Sequence, residues 1–218
     1  MTPSEPLRPP GPHGETPPAA LVPGASLLDL LEAIRELHAA PDLCTGLERL
    51  AERIGEHLSY RTFGVLLLDD RGRELRFHHA IGYPPGVAEQ WRFGLGQGII
   101  GTAAATGRPL RVDDVREDPR YLNAGEEILS ELAIPLIAKG RAIGVLTLGH
   151  GDRAHYSAAD ERLLVLLADH LATAIDNAQL HENARAQART LTLLHEVSRE
   201  LNSILDRREL LERVAVAI

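Results

Sequence analysis

Cysteine is nearly absent from this 218-residue chain, which has Cys44 alone. One thiol makes no internal disulfide, no CxxC redox pair and no cysteine-based zinc site, and such usage suits a reducing compartment. Aromatic residues are 4% of the chain, so aliphatic side chains must fill whatever core it forms. Positive charge is in deficit, with 23 Lys+Arg against 31 Asp+Glu and a formal charge of −8. That balance repels a phosphate backbone and argues against nucleic acid as a partner. Long apolar runs are missing too: residues 163–168 are closed by Asp169, well short of the roughly 20 residues that span a bilayer. The first residues lack the basic segment, apolar stretch and cleavage site of a secretory signal. The expectation is a soluble, cytoplasmic protein with no membrane partner.

The remaining composition, 44% hydrophobic and 25% charged, is that of a globular chain. Residues 1–24 hold eight prolines and few apolar side chains, too little to offset the entropy of ordering, and they read as a disordered arm. A helical stripe starts after Ser26 with Leu27, Leu30, Leu31, Ile34 and Leu37. Pro41 ends it, and Asp42 caps a second stripe running from Leu43 to Leu58. Residues 62–68 and 74–81 flank Asp69-Asp70-Arg71-Gly72, a β-hairpin pattern. A second hairpin joins residues 131–137 to 142–148 through Lys139-Gly140-Arg141, and Leu110–Val112 reads as a short strand. From Ala158 to about Leu205 neither proline nor glycine interrupts a long helical pattern.

A shift of 164 residues, the distance from Arg35 to Arg199, superposes the end of the chain on its first helices. Leu30, Glu32, Arg35, Glu36, Leu37 and Asp42 recur as Leu194, Glu196, Arg199, Glu200, Leu201 and Asp206, and the agreement runs on to Ile54 and Ile218. Charged residues match as well as apolar ones, so residues 181–218 are expected to be a connecting helix and the truncated start of a second unit. The chain then reads as the front part of a longer multidomain protein, or as one whose second unit has been cut away.

Between the hairpins lies Gly96-Gln97-Gly98-Ile99-Ile100-Gly101, followed by Thr106-Gly107-Arg108-Pro109. The spacing matches a dinucleotide fingerprint, but that needs a parallel strand before it and an acidic residue about 20 positions on, inside a βαβ unit. Here the neighbouring strands pair as hairpins. Together with Asp113-Asp114-Val115, Asp118-Pro119-Arg120-Tyr121, Ser130-Glu131-Leu132-Ala133-Ile134-Pro135-Leu136 and Gly140-Arg141-Ala142-Ile143-Gly144-Val145-Leu146, the string resembles the GAF domain family of small-molecule sensors in bacterial signalling proteins. The resemblance covers roughly residues 27–180. It implies an α+β fold: a central antiparallel sheet of five or six strands, flanked by helices, with a long C-terminal signalling helix and a sensor domain over residues 25–180.

The resemblance also implies a pocket between one sheet face and the segments after the glycine turn. Its expected lining is Phe77, His79, Trp91, Phe93, Ile99 and Ile100 from the strands and first helix, with Asp114, Tyr121, Leu122, Glu126 and Ile128 from the later loop. Mostly apolar walls with a few polar tips suit a small amphipathic ligand. A cyclic nucleotide is one candidate, because Tyr156, Asp160 and Glu161 match part of the signature of family members that bind one, although Gly149-His150-Gly151 replaces its Asn-Lys. Asp160 and Glu161 also suit the first turn of a helix, where carboxylates favour the dipole.

Catalytic signals are scarce: there is no GxSxG elbow, no Walker A lysine and no HExxH pair. Family relatives that reduce free methionine sulfoxide use several cysteines, which Cys44 alone does not supply. The reading is therefore a regulatory module without catalysis, cofactor or metal of its own, whose effector, a phosphatase or kinase, lies outside these residues. Two alternatives stand beside it: a small-molecule enzyme using His79 with Asp114, and a purely structural dimerisation unit with a vestigial pocket. Leu164, Leu167, Leu171, Ala174 and Ala178 follow coiled-coil spacing, which Leu191, Leu194, Val197, Leu201 and Leu205 resume. A homodimer through the N- and C-terminal helices is expected. His195-Glu196-Val197-Ser198-Arg199 resembles a histidine kinase phosphoacceptor helix, but the expected proline is absent and the repeat aligns His195 with Leu31.

Overall fold

The computed structural model describes residues 32, 34–37, 40, 42–69, 71–123, 127–180, 187–191 and 195. The proline-rich arm and most of the duplicated segment after 180 lie outside the described residues, as does Glu126. After a helical turn at residues 34–37, helix α1 (Leu43–His57) begins where the sequence places its cap, with Asp42 Oδ1 accepting from the Thr45 amide at 2.9 Å. Its buried stripe is Leu47, Leu50, Ala51 and Ile54. Strands β1 (Thr62–Leu68) and β2 (Glu74–Ile81) follow as an antiparallel hairpin. Its turn is held by Asp69 Oδ1, which accepts from the Arg73 amide at 2.8 Å.

The stretch after β2 contains two short elements that carry no periodic signal: α2 (Val87–Gln90) and edge strand β3 (Arg92–Gly94). The glycine string then turns into α3 (Gly98–Thr106). Gly96 lies at φ 83° and Gly98 at φ 69°, a backbone region that disfavours other residues. Strand β4 (Leu110–Val112) leads through a polar loop to β5 (Ser130–Ala138) and β6 (Arg141–His150). Lys139 and Gly140 between the last two both have positive φ, the two-residue turn whose twist suits a hairpin. Residues 158–180 form α4. It starts with a reciprocal cap, in which Ser157 Oγ accepts from the Asp160 amide and Asp160 Oδ2 accepts from the Ser157 amide.

All six strands pair antiparallel in the order β3-β2-β1-β6-β5-β4. Alternation divides each central strand between two cores. Phe63 and Val65 of β1, Leu132 and Ile134 of β5, and Leu146 and Leu148 of β6 face α1 and α4, where Leu164, Leu167 and Leu171 are buried. Each such buried leucine stabilises the fold by about 1.5–3 kcal/mol relative to an exposed one. Half of the expected coiled-coil stripe is therefore spent on the protein's own sheet, leaving Leu166 and Leu180 outward. Leu66, Leu75, Phe93, Ile99, Ile100 and Ala133 form the second core, under α3. Lys139, the only lysine of the sequence, binds Asp176 of α4 at 2.7 Å and ties the β5–β6 turn to that helix. No described helix is long and apolar enough to cross a membrane.

Candidate functional site

The sheet face away from α1 and α4 is not filled by large side chains throughout. Gly64 of β1 faces this side: a Cβ there would stand 2.9 Å from Phe77 Cε1, 3.1 Å from Thr147 Cγ2 and 3.4 Å from the Tyr83 hydroxyl. Gly149 of β6 does the same beneath Ile128, whose Cδ1 lies 2.8 Å from the corresponding point. Two glycines in adjacent central strands thus let Phe77 and Ile128, which line a cavity, pack closely against the sheet. The walls of this cavity are Phe77, Tyr83, Trp91, Phe93 and Glu131, and its roof is Gly98, Ile99, Ile100, Tyr121, Leu122 and Ile128. Four of the rings touch in sequence. Tyr83 meets Phe77 edge to face at 4.8 Å, Phe77 meets Phe93 at 6.2 Å, and Phe93 meets Trp91 at 5.4 Å.

The free volume is about 20 Å³, room for one water molecule. Anything larger must displace the roof, and Leu122, at 39% exposure, is its outermost apolar residue. Glu131 is buried and accepts a hydrogen bond from Thr147 Oγ1 at 2.9 Å. Eight of the expected residues, Phe77, Trp91, Phe93, Ile99, Ile100, Tyr121, Leu122 and Ile128, meet around this cavity. Glu126 lies outside the described residues.

His79 is not among them, and the reason is a β-bulge. Val65 pairs with His79 and Leu66 with Phe77, so His78 has no partner and the alternation reverses across it. His79 therefore turns to the helix side, with its ring edge to face against Phe63 at 6.0 Å. Its buried Nε2 has no hydrogen-bond partner among the described residues, and burial lowers its pKa. Asp114 is also elsewhere. Its carboxylate takes Arg116 through two side-chain hydrogen bonds of 3.0 and 2.9 Å, accepts from the Arg116 amide, and pairs with Arg153 at 2.9 Å. The Arg116 guanidinium holds it well below the ordinary carboxylate range, at about 2. Asp118 and Arg120 repeat the device four residues on. Both aspartates are loop pins, each sealed by an arginine two positions later.

The alternative that pairs His79 with Asp114 in catalysis is overturned by this placement. His79 lies on the helix side of β2 and Asp114 in the loop after β4, and these two strands stand four strand spacings apart in the sheet, about 19 Å at ~4.8 Å each. Asp160 is engaged in the α4 cap, and Glu161 binds Arg111 at 3.3 Å. Neither lines the cavity. His150, Asp152 and His155 come close enough to suggest metal ligands. The two imidazoles, however, stack at 3.4 Å and 11°, which aims their in-plane lone pairs along parallel lines rather than at one ion. His150 Nδ1 already accepts from the Asp152 amide at 3.0 Å.

Glu131, Tyr83 and Gly98 are lining residues that sequence reasoning missed. Glu131 had a signal, since it is a carboxylate in phase with Ala133 on an otherwise apolar strand. Tyr83, in an aperiodic stretch before two prolines, had none.

With the cavity bounded by a six-stranded antiparallel sheet, a glycine turn and α3, residues 44–176 match the GAF domain family. The chain belongs to that family. It is 27% identical over 182 residues to the Nif-specific regulatory protein of Azospirillum lipoferum, covering 78% of this chain and 29% of that protein. YtsP of Bacillus subtilis is 30% identical over 84 residues, 38% of this chain and 52% of that one. The chain thus spans about a quarter to a third of the Nif-specific regulators it matches. Among solved structures, the GAF domain of a phosphoenolpyruvate-protein phosphotransferase from Coxiella burnetii superposes with a TM-score of 0.65 at 27% identity, covering 72% of this chain and 98% of that one. The free methionine-R-sulfoxide reductase of Neisseria meningitidis, solved with its substrate, gives 0.61 at 26%, covering 74% and 98%. This GAF domain is homologous to part of the Nif-specific regulatory proteins.

Proposed function

We propose that this GAF domain senses a small molecule in the aromatic cavity and passes occupancy to its helices. The observation that carries the reading is the division of labour within single strands. Glu131 lines the cavity and Thr147 donates to it from the next strand, while the adjacent Leu146, Leu148 and Leu132 hold α1 and α4. A ligand that lifts the roof and presses on the floor moves strands whose other face is packed against α4, and Lys139 links the turn of those strands to Asp176. Coupling of this kind requires different affinities for the two arrangements of α4. The exposed Leu166 and Leu180 of α4 supply apolar surface for a second copy, and a homodimer would relay the shift to an effector beyond these residues.

Reduction of methionine sulfoxide, the activity in the name of one structural neighbour, fits these residues poorly. The one thiol, Cys44, lies exposed on α1, which covers the other face, 4.0 Å from His78. Native mass spectrometry of freshly purified protein tests the sensor reading. A retained small molecule, released by unfolding, is the expected result. A bare mass, together with no thermal shift across a metabolite library, sinks it. Light scattering that shows a monomer at high concentration removes the dimer relay.

A further inference from the structure

Part of the cavity roof, Tyr121 and Leu122, belongs to the loop that leaves β4 at Val112. Val115 anchors this loop, fully buried in the second core with Ile99 and Ile100. Further on the loop leans against α3, where a Cβ at Gly98 would stand 3.2 Å from Leu122 Cδ1. A ligand larger than one water molecule must lift this part of the roof, so whatever restrains the loop opposes binding.

The same loop is strapped to residues 151–157, the connection between β6 and α4. Asp114 Oδ2 takes Arg153 Nε at 2.9 Å, and the Asp113 carbonyl accepts from the Ala154 amide at 2.8 Å. Arg111, at the foot of the loop in β4, donates to the Tyr156 carbonyl at 3.0 Å and to Glu161 in the first turn of α4 at 3.3 Å. The roof loop thus reaches the start of α4 directly, without passing through the sheet. Ala154 is held at φ 47°, a left-handed conformation that is costly for alanine and persists only where its surroundings fix it. Release of the strap lets Ala154 return to the ordinary backbone region, which gives the connection two arrangements.

Asp114 does not need Arg153 to be satisfied. Arg116, two residues away, already engages both carboxylate oxygens, at 3.0 and 2.9 Å, and its amide donates as well. The Arg153 side chain is 58% exposed, and an ion pair with so open a partner adds little to stability. A second guanidinium, brought from 39 positions along the chain to a carboxylate already paired, joins two segments rather than folding one. We infer that Arg153 is a positioning residue of the sensor, a role that rests on the sensor reading of the cavity. Its pair with Asp114 holds the roof down while the cavity is empty, and a ligand that lifts the roof breaks the pair and frees the segment that opens α4.

Linkage is reciprocal, so a strap that occupancy breaks is one whose removal favours occupancy. Trp91 is the only tryptophan and lines the cavity beside β3, at the opposite edge of the sheet from β4, so its emission reports the cavity and not the surroundings of Arg153. The intact chain is titrated at pH 7 with 1-butanol, cyclohexanol and benzyl alcohol, three neutral probes ranked by the saturable change in Trp91 emission. Arg153→Gln is expected to bind the tightest of them about threefold tighter than the parent, the worth of an exposed ion pair, with an unchanged urea midpoint. Arg153→Lys is expected to fall between the two, and Arg162→Gln, which removes an exposed arginine of α4, to bind like the parent. Hydrogen exchange at residues 151–157 is expected to accelerate severalfold when the probe saturates the parent, and to be fast in Arg153→Gln with or without it. Equal or weaker probe binding by Arg153→Gln, or exchange like that of the unliganded parent, overturns the proposal. Where native mass spectrometry finds a retained molecule but none of the probes binds, acrylamide quenching of Trp91 decides: Arg153→Gln is expected to raise it about twofold, and an unchanged value overturns the strap while leaving the sensor reading standing. A bare mass with no response to any probe ends the sensor reading and this role of Arg153 with it.

Discussion

The two faces of one sheet are built from the same strands and made to opposite specifications. On the helix side, Leu132, Leu146 and Leu148 are fully buried against Leu164, Leu167 and Leu171, and aliphatic volume closes the space. On the cavity side the neighbouring positions are Glu131, Thr147 and the glycines 64 and 149, and the covering helix is the small-residue α3. One face maximises burial, and the other gives it up to keep a hollow with polar tips. Stability and recognition are thereby assigned to alternate residues of a strand, so a change at one position should disturb one property far more than the other.

The sharpest way to break the comparison is a pair of substitutions on adjoining strands. Leu148→Ala opens a cavity in the helix-side core and is expected to lose about 2–5 kcal/mol of stability, measured by urea unfolding, while the fluorescence ranking of probes at Trp91 persists. Gly64→Val acts in reverse. Its new side chain meets Phe77 and Thr147 at 2.9 and 3.1 Å, so it should cost about 1–3 kcal/mol through overpacking and abolish probe binding. A Gly64→Val protein that still binds would show that the hollow over the central strands is not the recognition site.

Asp114 sharpens the boundary between the cavity and its surroundings. Its carboxyl is held at about 2 by Arg116, against an ordinary value of 3.8. A lowered folded-state pKa means that stabilisation is fully present above the ordinary value and drains as pH falls from about 3.8 towards 2. Asp114→Asn should imitate that acid state at neutral pH. Tryptic cleavage after Arg116 and Arg120 is expected to accelerate severalfold, with little change in the urea midpoint. Unchanged cleavage would mean that the aspartate does not pin the loop.

Legibility in the sequence followed the range of the forces involved. The Asp42 cap, the two hairpins, the glycine turn and Leu110–Val112 are set by neighbours within a few residues, and each was readable. The eight pocket residues that converge were readable through the resemblance to GAF domains, because the order of strings fixes which segments roof the sheet. What escaped depends on partners distant in sequence. The role of Asp114 needs Arg153, 39 positions on, and β3 exists only through its pairing of Leu75 with Phe93. Regular alternation puts His79 beside Phe77, but whether His78 bulges is a property of the register with β1, which β2 alone does not encode.

That misplaced histidine gives the smallest and most discriminating test. On the helix side His79 is an exception to the apolar rule: its Nε2 is buried without a partner, and burial, followed by the nearby His78, lowers its pKa, while Glu48 pulls the other way. Above the ordinary value of about 6.5 the ring is neutral in both folded and unfolded chains. Below it the unfolded chain takes up a proton that the folded one resists, so stability should decline between pH 7 and pH 5. His79→Phe keeps a flat ring beside Phe63 and removes the nitrogen, and is expected to add up to about 1 kcal/mol at pH 7, with a larger advantage at pH 5. A residual slope will remain, because burial and His155 also lower the pKa of His150. Urea unfolding at the two pH values separates them: an identical pH 5 to pH 7 difference in parent and variant would show that His79 titrates freely and that the helix-side face is less dry than its leucines imply.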